Sequence, residues 1–305
     1  MNEPPVTIIM RSFNEAWALK DTLPALRKQN YTNWKLIVID SGSRDGSQEL
    51  IQRFCPDHFI EIPSGTYIPG RVLNMGMTLA DTELCFFLNA DATPQHTEWL
   101  RELVLSLTKP RVAATFGRQV PRPDCLAPFA LDYERCFGSN RSSRKWDHFF
   151  SMVSSGIRRS IWKERRFRED LTYAEDDDYT RWCRARGYTI TYAENSVVMH
   201  SHNYTPAQVY ARALGDAKAI SQAQWTDHRS PGWLRSVLLR WSCDIARDFM
   251  YCAAHSRLNE WPHAAQIRWH QRRGDFDGHF EGAKLARNTM PHQRIAAFGS
   301  SFYQE

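Results

Sequence analysis

The chain has 305 residues, 42% hydrophobic and 24% charged, which suits a folded protein with one large core plus an appendage, or two modest cores. Its 39 Lys and Arg against 34 Asp and Glu leave a net charge of +5, too slight for a dedicated nucleic-acid binder and better suited to an anionic small molecule or a membrane surface. Seven cysteines (Cys55, Cys85, Cys125, Cys136, Cys183, Cys243, Cys252), odd in number and without a C-x-x-C pair, read as buried reduced thiols.

From the N-terminus, short β-branched runs alternate with amphipathic stretches. VTIIM at 6–10 is followed by a helical pattern from Glu15, and KLIVID at 35–40 by another from Asp45. HFIEI at 58–62, a helix over 72–81, LCFFL at 84–88, a helix from Glu98 to Leu107 and VAATF at 112–116 continue the series. Such alternation predicts parallel βαβ units in a doubly wound sheet up to about residue 120. Between Arg122 and Arg168 the pattern loosens into a segment rich in aromatics, expected to face a substrate. A helix over 175–187, with Tyr179, Trp182 and Cys183 as its core face, and a strand over 188–199 follow. Beyond Thr205 the pattern is helical, with turns expected at Pro231, Gly232 and Pro262. There Trp233, Leu234, Val237, Leu238 and Trp241 form an apolar stripe flanked by Arg235 and Arg240 and continuing to Ile245 and Phe249. This stripe fits either an anionic membrane surface or packing against the rest of the protein. With neither a basic leader ahead of an apolar run nor a window of spanning length, the chain is expected in the cytoplasm, with peripheral contact at the inner face of the cell membrane as its membrane role.

In an open parallel sheet, ligands gather beyond the carboxyl ends of the strands, and four polar clusters fall there. Arg11-Ser12-Phe13-Asn14-Glu15 follows the first strand and Asp40-Ser41-Gly42-Ser43-Arg44-Asp45-Gly46-Ser47 the second. A carboxylate ending a buried strand can accept hydrogen bonds from a base or ribose, and the Gly-rich turn lets the backbone approach a ligand, although Asp45 as a helix cap explains part of the pattern equally well. Asn89-Ala90-Asp91 follows LCFFL, and Asp91, fixed by the sheet, suits a hard cation bridging two phosphates or, alternatively, caps a helix. Glu175-Asp176-Asp177-Asp178 opens a helix, where acids complement the dipole by about 0.3–1 kcal/mol each. Four consecutive acids also repel one another, so at least one is expected to face a cation, a sugar hydroxyl or a proton to be removed. Finally, His200 and His202 at the end of an apolar strand point to one face, a spacing compatible with metal or diphosphate contact or with a structural hydrogen bond.

Taken in order over residues 5–205, RSFNE, VIDSGSRDGS, the segment from Gly70 to Asn74, LNADATP, YAEDDDYTRW and the strand-ending His200 resemble the family-2 glycosyltransferases. FGRQVPRPD, FFSMVSSGIRR and MHSHNYTPAQ are similar to their bacterial rhamnosyltransferase-like subgroup. The resemblance implies an α/β GT-A fold, a Rossmann-like, mostly parallel sheet with helices on both faces, followed by a helical C-terminal region. It places the catalytic domain at 1–205, with a nucleotide-binding part at 1–120 and an acceptor and sugar part at 121–205, and the helical region at 206–305. It further implies that Asn14, Glu15 and Asp40 hold the nucleotide, with Ser12, Ser43, Asn74, Asn89 and Glu175 completing the donor site. Asp91 and His200 would bind Mg²⁺ or Mn²⁺ on the diphosphate, and Asp176 would be the catalytic base. The chain departs from the family where Asn89 replaces the first acid of Asp-x-Asp and where Val72-Leu73-Asn74 stands for Thr-Arg-Asn.

The expected chemistry is inverting transfer of a sugar from a nucleotide diphosphate donor to a glycan or lipid-linked acceptor hydroxyl, in assembly of a bacterial surface polysaccharide or glycolipid, with no nucleic-acid partner. Two other classes compete. A sugar nucleotidyltransferase would carry a Gly-rich basic phosphate loop after the first strand, which RSFNEAW does not resemble. A non-catalytic nucleotide-sugar binding protein would release no nucleoside diphosphate.

Overall fold

A computed structural model of the chain describes residues 3–146, 148–224 and 232–289, and the backbone divides into two compact units, Met1–Asn203 and Tyr204–Glu305. In chain order the first unit contains β1 (Val6–Ser12), α1 (Ala16–Arg27), β2 (Trp34–Asp40), α2 (Ser47–Phe54), β3 (His58–Glu61), α3 (Pro69–Leu79), β4 (Leu84–Asn89) and β5 (Thr93–Pro94). It continues with α4 (Trp99–Leu107), β6 (Val112–Val120), α5 (Ala127–Phe137), β7 (Ser154–Arg158), α6 (Arg159–Glu164), α7 (Glu175–Ala185) and β8 (Thr189–Met199). All eight strands join one sheet in the order β3-β2-β1-β4-β7-β6-β8-β5. Strands β1 to β4 are mutually parallel, as are β6 and β8, whereas β7 runs antiparallel between β4 and β6 and the short β5 runs antiparallel to β8.

The sheet is apolar on both faces because its strands alternate between two cores. Ile8, Met10, Val38, Phe86 and Leu88 face Leu19 and Leu26 of α1 and Leu100, Leu103 and Leu107 of α4. Ile9, Ile37, Ile39, Cys85 and Phe87 face Val72, Leu73 and Met77 of α3 and Tyr179 and Cys183 of α7. At about 1.5–3 kcal/mol for each fully buried large apolar side chain, these two layers dominate the stability of the unit and fix where the strand ends lie. The predicted mostly parallel α/β sheet covered on both sides is the one observed.

The segment from Arg122 to Arg168 is more regular than its sequence suggests. It contributes α5, β7 and α6, and β7 supplies a central strand. The sequence of β7, Ser154-Ser155-Gly156-Ile157-Arg158, is small and polar, yet Ser154, Ser155 and Ile157 are fully buried. Its place is secured by neighbours on both sides rather than by a β-branched run. Helix α3 starts at Pro69, earlier than expected, because proline fits the first helical turn, where its missing N–H has no partner to lose. The thiols also differ from expectation: Cys55 and Cys243 are exposed, and the seven cysteines are free.

The second unit is helical: α8 (Pro206–Gln224), a π-helical turn (Leu234–Leu239), α9 (Arg240–Ala254) and α10 (Trp261–Thr289). Pro262 falls in the first turn of α10 rather than in a connecting turn, again a position that needs no N–H, while Pro231 lies outside the described residues. Gly274, Gly278 and Gly282 of α10 face α8, where an added Cβ would come within 2.4, 2.3 and 2.5 Å of the carbonyl oxygens of Tyr210, Leu214 and Lys218, so only glycine admits this close approach. Helix α9 is turned outward in polarity. Its buried residues are Asp244, Asp248 and Cys252. Asp248 receives a two-pronged contact from Arg268, at 2.8 and 3.0 Å, and Asp244 is held by Arg272 at 2.6 Å. Of the expected apolar stripe, Val237 is buried, while Leu234 and Phe249 are 69% and 45% exposed. Among the described residues no helix is long and apolar enough to cross a membrane.

Candidate active site

A cleft of about 530 Å³ opens at the carboxyl ends of β1, β2 and β4, lined by Arg11, Ser12, Phe13, Glu15, Ser41, Ser64, Gly65, Tyr67, Asn89 and Asp91. It lies where the strand order reverses: the chain moves outward from β1 to β2 and β3, then returns to the other side of β1 as β4, and the loops part there. Buried Ser12 Oγ, on the cleft wall, has no hydrogen-bond partner among the described residues. An unsatisfied buried hydroxyl costs about 1–3 kcal/mol unless a ligand or water engages it.

The loops after β1 and β2 are interlocked. Asn14, at φ 55°, donates its backbone N–H to Ser43 Oγ at 2.8 Å and accepts from the Arg44 N–H through Oδ1 at 2.9 Å. The N–H groups of Glu15 and Ala16 donate to Ser47 Oγ and Asp45 Oδ2. Asp45 thereby serves the start of α1 as well as its own turn, where it also accepts from Ser47. Asp40 is fully buried and accepts from the N–H groups of Gly42 and Ser43, from Ser43 Oγ at 2.6 Å and from Gln48 Nε2 at 3.0 Å. Gly42, at φ +79°, gives the backbone the left-handed bend that this turn requires. Asn14, Asp40 and Ser43 thus build the cleft wall, while Ser12, Glu15 and Asn89 face the cleft itself.

Asp91, His200 and His202 present ligand atoms within 4.8 Å of one another. Asp91 Oδ2 lies 3.3 Å from His200 Nε2 and 2.8 Å from His202 Nε2. Burial alone would raise the Asp91 carboxyl, yet hydrogen bonds and charge from the two histidines hold it far below the ordinary carboxylate range. Strand β6 extends to Val120 and pairs with the end of β8, which brings Gln119 to His200. Gln119 Nε2 donates to Ser151 Oγ at 2.7 Å, directing Oε1 at His200 Nδ1, 2.9 Å away. The Tyr133 hydroxyl lies 3.1 Å from the same nitrogen, so Gln119 and Tyr133 together hold the ring with its Nε2 edge toward Asp91. The donor set of two imidazoles and one carboxylate, gathered this closely, fits a divalent metal. Arg122 Nη2 fixes the Asp91 carbonyl at 2.6 Å and stacks over Trp17. On the other side, burial, reinforced by the Asp91 charge, pushes the Glu15 carboxyl up to about 7.

The four acids opening α7 have different surroundings. Asp177 pairs with Arg181 at 2.5 Å and Asp178 with Arg165 at 2.6 Å, while Glu175 lies 3.9 Å from Arg11. Asp176 forms no ion pair among the described residues and accepts the Asp177 N–H at 2.8 Å. Burial, followed by the charge of Asp177, raises its carboxyl above the ordinary value, against the pull of that N–H and of Arg11. The repulsion expected of four adjacent carboxylates is thereby relieved by arginines at three positions and leaves Asp176 as the acid with raised proton affinity. Arg11 links this cluster to the cleft: its guanidinium donates to Asn89 Oδ1 at 2.8 Å and to the Tyr67 hydroxyl at 3.1 Å.

Asn74 stands apart from these groups. Its amide donates to the Phe167 carbonyl and Glu169 and accepts from Trp162 Nε1 and the Phe167 N–H, all between 2.9 and 3.1 Å. Asn74→Ala would leave several buried groups unsatisfied at about 1–3 kcal/mol each, so a loss of at least about 3 kcal/mol is expected in urea denaturation. The sequence alone assigned no role to Arg11, Tyr67, Gln119, Tyr133 or Arg122, and offered His202 beside His200 without choosing it as the ligand. Arg11 and His202 carried a signal, sitting inside clusters already marked. Gln119 and Arg122 lay in the quoted segment FGRQVPRPD, but nothing there pointed to His200 or Asp91, since their role depends on the register of β6 against β8.

A model of the family described as glycosyl transferase family 2 matches residues 7–166. The O-antigen chain rhamnosyltransferase RfbN of Salmonella typhimurium is 30% identical over 219 residues, which cover 68% of this chain and 69% of that one. The O-antigen chain rhamnosyltransferase WbaN of Salmonella anatum is 28% identical over 223 residues, 68% of this chain and 70% of that one. Among solved structures, the mannosyltransferase PcManGT from Pyrobaculum calidifontis, in complex with GDP-Man and Mn²⁺, aligns with a TM-score of 0.62 over 91% of this chain and 88% of that chain at 17% identity, a likeness of fold.

Proposed function

Because the chain belongs to glycosyl transferase family 2, we propose that it moves a hexosyl group of rhamnosyl type from a nucleotide diphosphate donor to a hydroxyl of a glycan or lipid-linked acceptor, in assembly of a bacterial surface polysaccharide. The names of the Salmonella relatives support this choice of sugar and pathway. The observation that carries the reading is the pairing, at one sheet edge, of a divalent-metal donor set with a carboxylate whose proton affinity is raised.

In this reading Ser12, Glu15, Asn89 and Glu175 border the donor, and Asn14, Asp40 and Ser43 act through the turn they build. Asn74 acts through the segment it ties down. Arg11, hydrogen-bonded to the neutral Asn89 and with Glu175 3.9 Å away, brings positive charge to the side of the cleft that meets the departing diphosphate. Asp176 removes the proton from the acceptor hydroxyl. Attack from the face opposite the leaving group inverts the anomeric centre, with no covalent sugar intermediate. An ion held by Asp91, His200 and His202, Mn²⁺ or Mg²⁺, would supply Lewis-acid stabilisation of the diphosphate. Two imidazole nitrogens suit Mn²⁺ better than Mg²⁺, which favours an all-oxygen shell.

A panel of nucleotide sugars screened by thermal shift with Mn²⁺, followed by detection of released nucleoside diphosphate with candidate acceptors, tests the reading. Donor binding without nucleotide release under any acceptor would favour a binding protein instead.

The second unit adds a proposal about place: a cytoplasmic enzyme resting on the inner face of the cell membrane. Exposed Leu234, Leu239, Phe249 and Met250, with Arg235 and Arg240 beside them, would lie on anionic lipid while the acid–arginine pairs face inward. Co-sedimentation with anionic vesicles at low salt is the expected outcome, and protein remaining in the supernatant would reject it.

A further inference from the structure

A second cavity, sharing no residue with the cleft, is lined by Phe116, Arg141, Ser143, Arg144, Trp146, Phe149, Arg184, Ile190 and Tyr192 and encloses about 310 Å³. Its content is unusual for a surface hollow: three guanidinium groups over an aromatic floor. Phe116 packs edge-on against Phe149 and against Tyr192 at a tilt, with centroids 5.5 and 5.1 Å apart, and Trp146 packs edge-on against Phe149 at 5.4 Å. Arg141 lies over the Tyr192 ring at 4.0 Å.

None of the three arginines forms an ion pair among the described residues. Elsewhere in the same unit arginines near acids are paired, as Arg165 and Arg181 are. Here Arg184 Nη1 and Arg141 Nε are buried and have no hydrogen-bond partner among the described residues. What they do have is weak: Arg184 Nη2 reaches the Phe149 carbonyl at 3.4 Å, and Arg141 Nη1 reaches Ser143 Oγ at 3.4 Å. Partial burial lowers the proton affinity of both guanidinium groups, helped by the like charge of Arg144 beside Arg141 and of Arg181 beside Arg184. The acids close enough to act on them are Glu194, toward Arg141, and Asp177, toward Arg184, and Asp177 is already bonded to Arg181.

Unpaired buried guanidinium donors are satisfied best by an oxyanion, which accepts from several N–H groups at once. A cavity of this size, near the lower end of small-molecule sites at roughly 300–1,000 Å³, leaves room for more than the anion. Arg141 covers the Tyr192 ring, and Trp146, 39% exposed, offers apolar surface for an organic group attached to the anion. We propose that Arg141, Arg144 and Arg184, with Phe116, Trp146, Phe149 and Tyr192, form a second binding site, separate from the donor cleft, that takes the phosphate or diphosphate of an organic ester. Arg184 lies on α7 eight residues beyond Asp176, about 12 Å along the helix axis, so one rigid helix ties this site to the proposed base. Assigning the ester to the acceptor rests on the transfer reading above, while the anion site itself does not.

The test is therefore a binding measurement that needs no turnover. Isothermal titration with geranyl diphosphate and with inorganic pyrophosphate, in EDTA so that the metal centre does not contribute, compares the wild type, the Arg141→Gln/Arg184→Gln variant and Asp91→Asn. Saturable binding is expected in the wild type and in Asp91→Asn, weakened at least tenfold in the double variant, with geranyl diphosphate held several-fold more tightly than pyrophosphate. Arg184→Lys should retain part of the affinity. Arg144→Gln, at an exposed position, gives the same readout should the double variant fail to fold. Absence of saturable binding in the wild type, or binding lost in Asp91→Asn and kept in the arginine variants, would overturn the site. Equal affinity for the two ligands would remove the aromatic floor from it.

Discussion

Asp176→Asn is expected to lower turnover by about 10² to 10⁴-fold, the usual contribution of a general base, while donor affinity stays within about twofold. The substitution keeps the size of the side chain and its ability to accept the Asp177 N–H, but removes the basic oxygen. Its three neighbours make the result interpretable because their partners differ. Asp177→Asn and Asp178→Asn break ion pairs with Arg181 and Arg165, and the visible cost should fall on stability. These pairs are partly exposed, so about 1 kcal/mol each is the expected scale. Glu175→Gln removes a carboxylate 3.9 Å from Arg11 and should alter donor affinity more than the proton-transfer step. Steady-state turnover and donor titration on the four amide variants decide the matter. If Asp176→Asn turns over at the wild-type rate while another of the four is inactive, the base has been assigned to the wrong acid.

Removal of the metal is the second large effect. Exhaustive chelation should abolish turnover, with Mn²⁺ restoring it more fully than Mg²⁺, and full activity in chelator would dismiss a metal role. Asp91→Asn should lose metal-dependent donor binding and rate together, since Asp91 is the carboxylate both histidines face. The structure adds a subtler variant. Gln119→Leu leaves every ligand atom in place but releases the imidazole of His200 from the contact that orients it, 2.9 Å from Nδ1. Loss of such an outer hydrogen bond costs about 10- to 100-fold in metal affinity, so the Mn²⁺ requirement should rise by that factor with little change in turnover at saturating Mn²⁺. An unchanged Mn²⁺ titration in Gln119→Leu would mean that His200 is not held as a ligand.

The sequence by itself determined the strands that carry the cleft and the polar residues at their ends. VTIIM, KLIVID and LCFFL are buried on both faces, and such runs have one stable use, as inner strands of a sheet covered by helices. Once they are placed, the polar residues that follow each run must emerge at the same edge, and Ser12, Glu15, Asn89 and Asp91 do so. Local pattern therefore sufficed to place the polar residues that follow an apolar strand.

Tertiary structure decided everything that depends on register or on partners distant in sequence. Strand β7 carries small polar residues and gains its place from β4 and β6 on either side. Gln119 meets His200 across 81 residues because β6 runs beside β8. Which of the four acids has its proton affinity raised follows from where Arg11, Arg165 and Arg181 reach, and no spacing in Glu175-Asp176-Asp177-Asp178 encodes that. The inward-facing acids of α9 have the same origin: Arg272 and Arg268, a helix away, supply the counter-charge that lets Asp244 and Asp248 be buried. A side chain's burial and proton affinity are properties of its neighbours, and neighbours are assigned only when the chain has folded.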